Sequence, residues 1–337
     1  MISKMVPPEY DPDVEDATKL DTVARGDPGQ ARSGRPLADF HGFTMMVGAM
    51  SNQARAHATL LISCPDRAGI VADLAGFVHQ RGCNITSVDQ SVDIEHELFR
   101  MRMVVESVAP EFQENTFRVE LEKLAEQHGL QWTLHFASER SRLAIMCTRE
   151  PHCLHDILQR HESGELDCDI PVVVSNHDSL RPIAEFFEIP FVHIPVDAGS
   201  KEESENHLRS CLEGHQIDVL ILARYMQVLS PGFVDEWPNR IINIHHSFLP
   251  AFAGASPYRQ AHERGVKIIG ATAHYVTSEL DAGPIITQDV IDCSHRDGIA
   301  DLVRKGRDAE RTSLARAVRC HIERKLLVQG DRVVVFD

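Results

Sequence analysis

The 337-residue sequence predicts an α/β protein of two unlike parts: a small ferredoxin-like βαββαβ unit, then a larger Rossmann-like domain on a mostly parallel sheet. Three observations carry this expectation. Between residues 57 and 137, runs that alternate apolar and polar residues frame two segments with apolar residues at helical spacing. From residue 141 to 337, strand and helix signals take turns, which in one chain means parallel strands joined by crossover helices. Residues 1–56 show neither pattern.

In that first segment, Pro7, Pro8, Pro12, Pro28 and Pro36 mix with Gly26, Gly29, Gly34 and the acidic residues Asp11, Asp13, Glu15 and Asp16. Too little apolar surface is available to offset the entropy of ordering, so a disordered tail is expected. Met45, Met46 and Met50 would each serve as the start of a shorter product.

From His57, "HATLLISC" reads as a strand and "PDRAGIVADLAGFVHQRG" as a helix, with Ile70, Leu74, Phe77 and Val78 on one face. "CNITSVDQSVD" and "HELFRMRMVVES" have the alternation of half-buried strands; "PEFQENTFRVELEKLAEQHG" returns to a helical period and "LQWTLHF" closes the unit. That order folds into a four-stranded antiparallel sheet with two helices on one face. A unit so small has a marginal core of its own, so pairing with a second copy, hence a homo-oligomer, is expected.

After the linker "ASERSR" come "LAIMCT" as strand, "HCLHDILQRHES" as helix, "IPVVVSN" as strand, "LRPIAEFFE" as helix, "FVHIPV" as strand, "KEESENHLRSCLEG" as helix and "DVLILAR" as strand. The strands "RIINIHH", "VKIIGATAHYV" and "PIITQDVI" follow, then a long helix from about Asp301 to Gln329 and a last strand "DRVVVF".

Composition narrows the function. With 34 Lys and Arg against 50 Asp and Glu, the net charge of −16 argues against nucleic acid, whose binding is built from cations on phosphates, and leaves a small molecule as the expected partner. Eight cysteines without a C-x-x-C pair read as reduced thiols of a cytoplasmic protein rather than a disulfide framework. No apolar run approaches membrane-spanning length, and the opening "MISKMVPPEYDPDVEDATKLD" lacks the basic flank and apolar stretch of an export signal.

Chemistry concentrates in "RIINIHHS" and "TSELDAGPI". The strand period of two puts Asn243 and His245 on one face, with Ile244 and His246 on the other, at a strand end where α/β sheets bind ligands. An amide beside an imidazole suits acyl chemistry: the amide donates to an oxygen gaining charge, and the imidazole moves a proton near neutral pH. Asp281, before Gly283 and Pro284, supplies a carboxylate that stabilises an imidazolium and orients water. Singly, such a histidine is more often structural and such an aspartate a turn former. The joint pattern N-x-H-x(4)-P and D-x-G-P is far more specific.

That pattern resembles the folate-dependent formyltransferase family over residues 141–337, and the resemblance makes Asn243, His245 and Asp281 the catalytic trio. The doubled histidine in "NIHHSFLPAF", the segments "CPDRAGIVADLAGFV" and "NITSVDQ" and the late "GRDAER" are similar to the branch in which an ACT regulatory domain, here residues 57–137, precedes the formyltransferase-like domain. The resemblance implies hydrolysis of 10-formyltetrahydrofolate to formate and tetrahydrofolate, balancing one-carbon folate pools and supplying formate for purine synthesis. It implies no cofactor and no metal, folate being the substrate. The first strand-to-helix turn, "CTREPHCLHD", lacks the glycines with which relatives cradle a phosphate, which fits water as acceptor. Two other readings stay open: formyl transfer to an amine, or an amino-acid sensor with an inactive folate-binding domain.

The segment "LARYMQVLSPGF" is similar to the family's pterin-binding stretch, making Arg224, Met226, Val228 and Leu229 pocket candidates, with His246 and Gly283 beside them. In "CPDRAGI", Asp66, Arg67 and Gly69 stand where ACT domains commonly hold an amino-acid effector; the plainer reading is a turn leading into a helix. Ser256 and Arg259 depart from the family pattern at the pocket rim. His152, Cys153 and His155 have helical spacing for metal ligands, but no second cluster in the sequence completes a site.

Overall fold

A computed structural model describes residues 56–108, 112–197, 199–250 and 257–336. The expectations for the N-terminal tail and for Ser256 fall outside the described residues.

The N-terminal unit runs β1 (His57–Pro65), α1 (Ile70–Gln80), β2 (Cys83–Asp93), β3 (Leu98–Ser107), α2 (Glu114–His128) and β4 (Gln131–Phe136), with sheet order β2-β3-β1-β4 and antiparallel pairing throughout. This is the anticipated βαββαβ unit. Alternation decides its faces: Leu60 and Ile62 of β1 and Phe99, Met101 and Met103 of β3 point to the helices, packing with Leu74, Phe77, Phe117 and Leu121. α1 begins one turn later than a cap at Pro65 or Asp66 would place it. Its N-cap is Gly69, left-handed at φ 94° and without a side-chain cap.

The opposite, helix-free face does not lie wholly open. Ser63 and Arg100 bond the Gln329 side chain, and Arg102 donates to the carbonyls of Glu323 and Arg324, so the C-terminal end of the chain sits on the two central strands. The expectation of a self-pairing surface is thereby narrowed to what this contact leaves uncovered.

The second sheet is built from β5 (Arg142–Cys147), α3 (His152–Glu162), β6 (Asp169–Ser175), α4 (Arg181–Phe186), β7 (Phe191–His193), α5 (Lys201–Gly214), β8 (Val219–Leu222), α6 (Pro231–Asp235), β9 (Ile241–His245), α7 (Pro257–Arg264), β10 (Ile268–Tyr275), β11 (Ile285–Asp292) and α8 (Ile299–Ile322). Seven strands lie in the order β11-β10-β9-β8-β5-β6-β7, and β10 runs opposite to the other six. Central strands such as "VLIL" are apolar end to end because both faces are covered. Leu143 and Ile145 of β5 pack towards α3 and α8, whereas Ala144 and Met146 pack towards α5 and α6.

Two boundaries differ from expectation. α8 stops at Ile322 rather than near Gln329, because the chain turns at Arg324, at φ 54°, into a hairpin of β12 (Leu326–Gln329) and β13 (Arg332–Val335). The run "LLVQ" is equally apolar in either conformation, so periodicity could not separate them. The short helices α6 and α7 were not foreseen, being under three turns each.

Candidate active site

β9 leaves the centre of the sheet beside β8 and carries Asn243 and His245 on its α5/α6 side, as Ile242 and Ile244 pack into the α3/α8 core. β10 then returns antiparallel, and its register sets His274 opposite Asn243 and Thr272 opposite His245. Paired residues of neighbouring strands share a face. His274, which carried no role in the sequence reading, thereby enters the site.

The polar contacts form one connected set. Asn243 Nδ2 is 3.2 Å from His274 Nε2, and His274 Nδ1 is 2.9 Å from the Tyr275 carbonyl. Since a carbonyl can only accept, His274 carries its proton on Nδ1; Nε2 then accepts, and the Asn243 atom facing it is the NH2 group. Burial holds His274 neutral by pushing its pKa down. Asp281 reaches in from the loop after β10, its Oδ2 3.2 Å from His245 Nδ1 and its Oδ1 3.8 Å from His274 Nε2. The bond to His245 depresses the Asp281 pKa and outweighs burial. His245 Nε2 is buried and has no hydrogen-bond partner among the described residues. One imidazole nitrogen is thus held by a carboxylate and the other left for a ligand.

Asp281 itself is left-handed, at φ 55°, and Gly283 explains why the loop sits where it does. A Cβ on Gly283 would come within 1.9 Å of the Tyr275 carbonyl oxygen, so only glycine lets the loop lie against β10. Gly283 is buried and is not among the residues lining the cavity that Asp281 faces, so its contact is with β10.

The cavity these groups face has a volume of about 750 Å³. Arg224, Met226, Val228, Leu229 and His246 all line it, together with Asn243, His245, His274 and Asp281. His246 does not turn away as strict alternation required: β9 ends at His245, and the two imidazoles stack with centroids 5.1 Å apart. Burial, with the Arg224 and His245 charges, brings the His246 pKa down to about 4. Around the mouth, Met226 and Val228 are 57% and 60% exposed and Leu280 is 68% exposed, an apolar rim beside a polar floor.

The other end of the cavity holds a second polar group. Glu310 of α8 accepts from Tyr258 at 2.7 Å, bonds His152 Nε2 at 2.7 Å and lies 3.4 Å from Arg224 Nε. Burial raises the Glu310 pKa, but these partners outweigh it and the net shift is downward. Glu310 shares an apolar stripe with Leu302, Ala309 and Leu314, and a glutamate on such a stripe is the signal that would have found it. The metal pattern is redrawn: His152 and Cys153 cluster with Glu310, within 4.8 Å, while the His155 ring packs on Phe187. His152 Nε2 bonds one oxygen of Glu310, and the Arg224 guanidinium stands beside that same oxygen.

The remaining predicted residues lie elsewhere. Arg67 donates to Asp73 and contacts His128 Nδ1 at 2.7 Å, tying α1 to α2, and the Asp66 amide bonds the Glu97 carbonyl. Asp66, Arg67 and Gly69 are exposed and form no part of the cavity. Arg259 is exposed on α7, one residue after Tyr258, which does line it.

An Asn-His-Asp set at the carboxyl edge of this sheet, behind a βαββαβ unit, defines a formyltransferase-type α/β protein with an ACT module. Residues 141–318 match the formyl transferase family and residues 58–124 the ACT domain. The chain is 51% identical over 286 residues to the formyltetrahydrofolate deformylase of Synechocystis sp., covering 83% of this chain and 98% of that one. It is also similar to the crystal structure of a formyltetrahydrofolate deformylase from Pseudomonas syringae pv. tomato, at 46% identity and a TM-score of 0.82 over 85% of this chain and 96% of the other. A glycinamide ribonucleotide transformylase from Symbiobacterium toebii matches at 31% identity with a TM-score of 0.57, over 61% of this chain and 98% of that one. The chain belongs to the formyltetrahydrofolate deformylase family.

Proposed function

We propose that this protein hydrolyses 10-formyltetrahydrofolate to formate and tetrahydrofolate, with Asn243, His245 and Asp281 as its catalytic residues. The observation that carries the reading is the convergence of those three side chains, with His245 Nε2 left unbonded, on a cavity with an apolar mouth. Asp281 Oδ1, beyond hydrogen-bond distance of His274, is the acceptor for the attacking water. Water, held by the carboxylate, adds to the formyl carbon as the His245 imidazole takes up its proton. The tetrahedral oxyanion is met by the Asn243 amide, whose orientation His274 fixes, and by protonated His245. Proton return to N10 breaks the C–N bond, releasing formate and tetrahydrofolate. Asp281 stays ionised because its bond to His245 favours the charged carboxylate.

The apolar rim of Met226, Val228 and Leu229 suits the flat ring system of a folate, and Arg224 and His246 bound the reacting end. Incubation of purified protein with 10-formyltetrahydrofolate alone is the test. Formate release without an acceptor is expected; release that depends on an amine would make it a transferase, and none at all would leave a sensor.

The physiological reading is control of the one-carbon folate pools, with formate passed to purine synthesis. An amino-acid effector near Asp66, Arg67 and Gly69 and a homo-oligomeric state belong to the same proposal, supported by the ACT match. Among the described residues no helix is long and apolar enough to cross a membrane. All eight cysteines are free thiols, as suits the reducing cytoplasm proposed for the protein.

A further inference from the structure

We infer that Tyr275 is a positioning residue for this reaction, and that its anchor on His321 ties the catalytic geometry to the contact between the end of α8 and the ACT sheet. The inference rests on the hydrolase reading for its choice of assay.

Strand alternation sends His274 into the cavity and Tyr275 to the opposite face of β10, where its ring is buried in the core shared with α8. The backbone of Tyr275 places three groups at once. Its carbonyl accepts from His274 Nδ1 at 2.9 Å, which sets the tautomer that orients Asn243. Its N–H donates to the Pro284 carbonyl at 2.9 Å, and Gly283 lies flush on its carbonyl, so the loop bearing Asp281 is seated on this one residue.

What holds Tyr275 in turn is its hydroxyl, 2.7 Å from His321 Nδ1 in the last turn of α8. Burial pushes the phenol pKa up and brings that of His321 down to about 3, the latter aided by Arg324 and by His135 of β4. The phenol therefore donates to a neutral imidazole throughout the working pH range. Two and three residues later, the carbonyls of Glu323 and Arg324 accept from Arg102 of β3 at 3.1 and 3.0 Å, and the Arg324 guanidinium bonds Ser141 Oγ at 2.7 Å. One helical turn is thus gripped by the ACT sheet on one side and by the strand carrying His274 on the other. Abandoning a buried hydrogen bond costs more than a small shift, so Tyr275 follows His321 when that turn moves.

The test compares kcat, KM and folate affinity for Tyr275→Phe, His321→Leu, His321→Gln and Arg102→Ala in the full chain. Tyr275→Phe and His321→Leu are expected to lower kcat about tenfold, within the range for residues that tune a site without touching its ligand, with KM and affinity within about twofold. His321→Gln, whose amide oxygen still accepts from the phenol, should recover most of that loss. Arg102→Ala should lower kcat less, and its effect should vanish in a Tyr275→Phe background. Loss in Tyr275→Phe of under twofold, equal losses for His321→Gln and His321→Leu, or additive effects of Arg102→Ala and Tyr275→Phe would each overturn the inference. If Tyr275→Phe does not fold, the His321 pair decides. The parent's own turnover, with or without an amine acceptor, tests the hydrolase reading; the variant-to-parent ratios test the positioning role.

Discussion

Two polar clusters share the cavity, and they differ in what they leave unbonded. Around Glu310, both carboxylate oxygens are taken by Tyr258 and His152, Arg224 stands alongside, and the side chain is 2% exposed. Around Asp281, the carboxylate is 24% exposed, one oxygen lies beyond hydrogen-bond reach of His274, and His245 Nε2 has no partner among the described residues. A saturated cluster holds the wall together. An unsaturated one keeps donors and acceptors open, and the proposed reaction would use them to meet charge that develops only in the transition state.

The comparison breaks first on Asp281→Asn. If the carboxylate holds water and balances an imidazolium, turnover falls by at least the 10²–10³ typical of losing one oxyanion donor, on the order of 3 kcal/mol or more, while melting and folate titration stay near the parent's. Turnover within a few-fold of the parent would remove Asp281 from the mechanism. Asn243→Ala is expected to cost about 10²–10³ in kcat, read by the same formate assay.

Glu310→Gln sharpens the contrast from the other side. Breaking a buried ion pair typically costs about 3–5 kcal/mol because the partner charge is left uncompensated, here that of Arg224. A fall in denaturant midpoint with only a few-fold change in kcat of the folded fraction is expected. A rate loss as large as that of Asp281→Asn, with stability intact, would move Glu310 into the chemistry.

Acid should act on the two clusters in sequence. His246 titrates near 4 in the fold against 6.5 unfolded, so the unfolded chain binds its proton first; its contribution is complete above about pH 6.5 and is lost as pH falls towards 4. Asp281 and Glu310, both depressed, contribute fully above the unfolded carboxylate values of 3.8 and 4.5 and lose this only below them. Unfolding titrations should show stability declining from pH 6.5 before any carboxylate protonates, and His246→Gln should make that limb shallower, with His135, His274 and His321 supplying the rest. The smallest effect is expected from deleting residues 1–49: melting temperature and turnover should stay nearly unchanged, since no periodic apolar face there is available to pack.

The sequence by itself determined the βαββαβ unit, the alternating second domain, and that Asn243, His245 and Asp281 belong in one place, where they line one cavity. Period-two and period-3.6 patterns, and a spaced N-x-H and D-x-G-P, are local features that survive being read in one dimension. It also placed Arg224, Met226, Val228, Leu229 and His246 at the cavity, through resemblance. What only the tertiary structure decided depends on contacts between distant segments. His274 enters the site because β10 runs antiparallel to β9 in one register, and Glu310 meets His152 across 158 positions because α3 and α8 cover the same face of the sheet. The end of α8 and the seat of Gly283 were decided the same way, by what lies against them: a hairpin on the ACT sheet for the first, the Tyr275 carbonyl for the second.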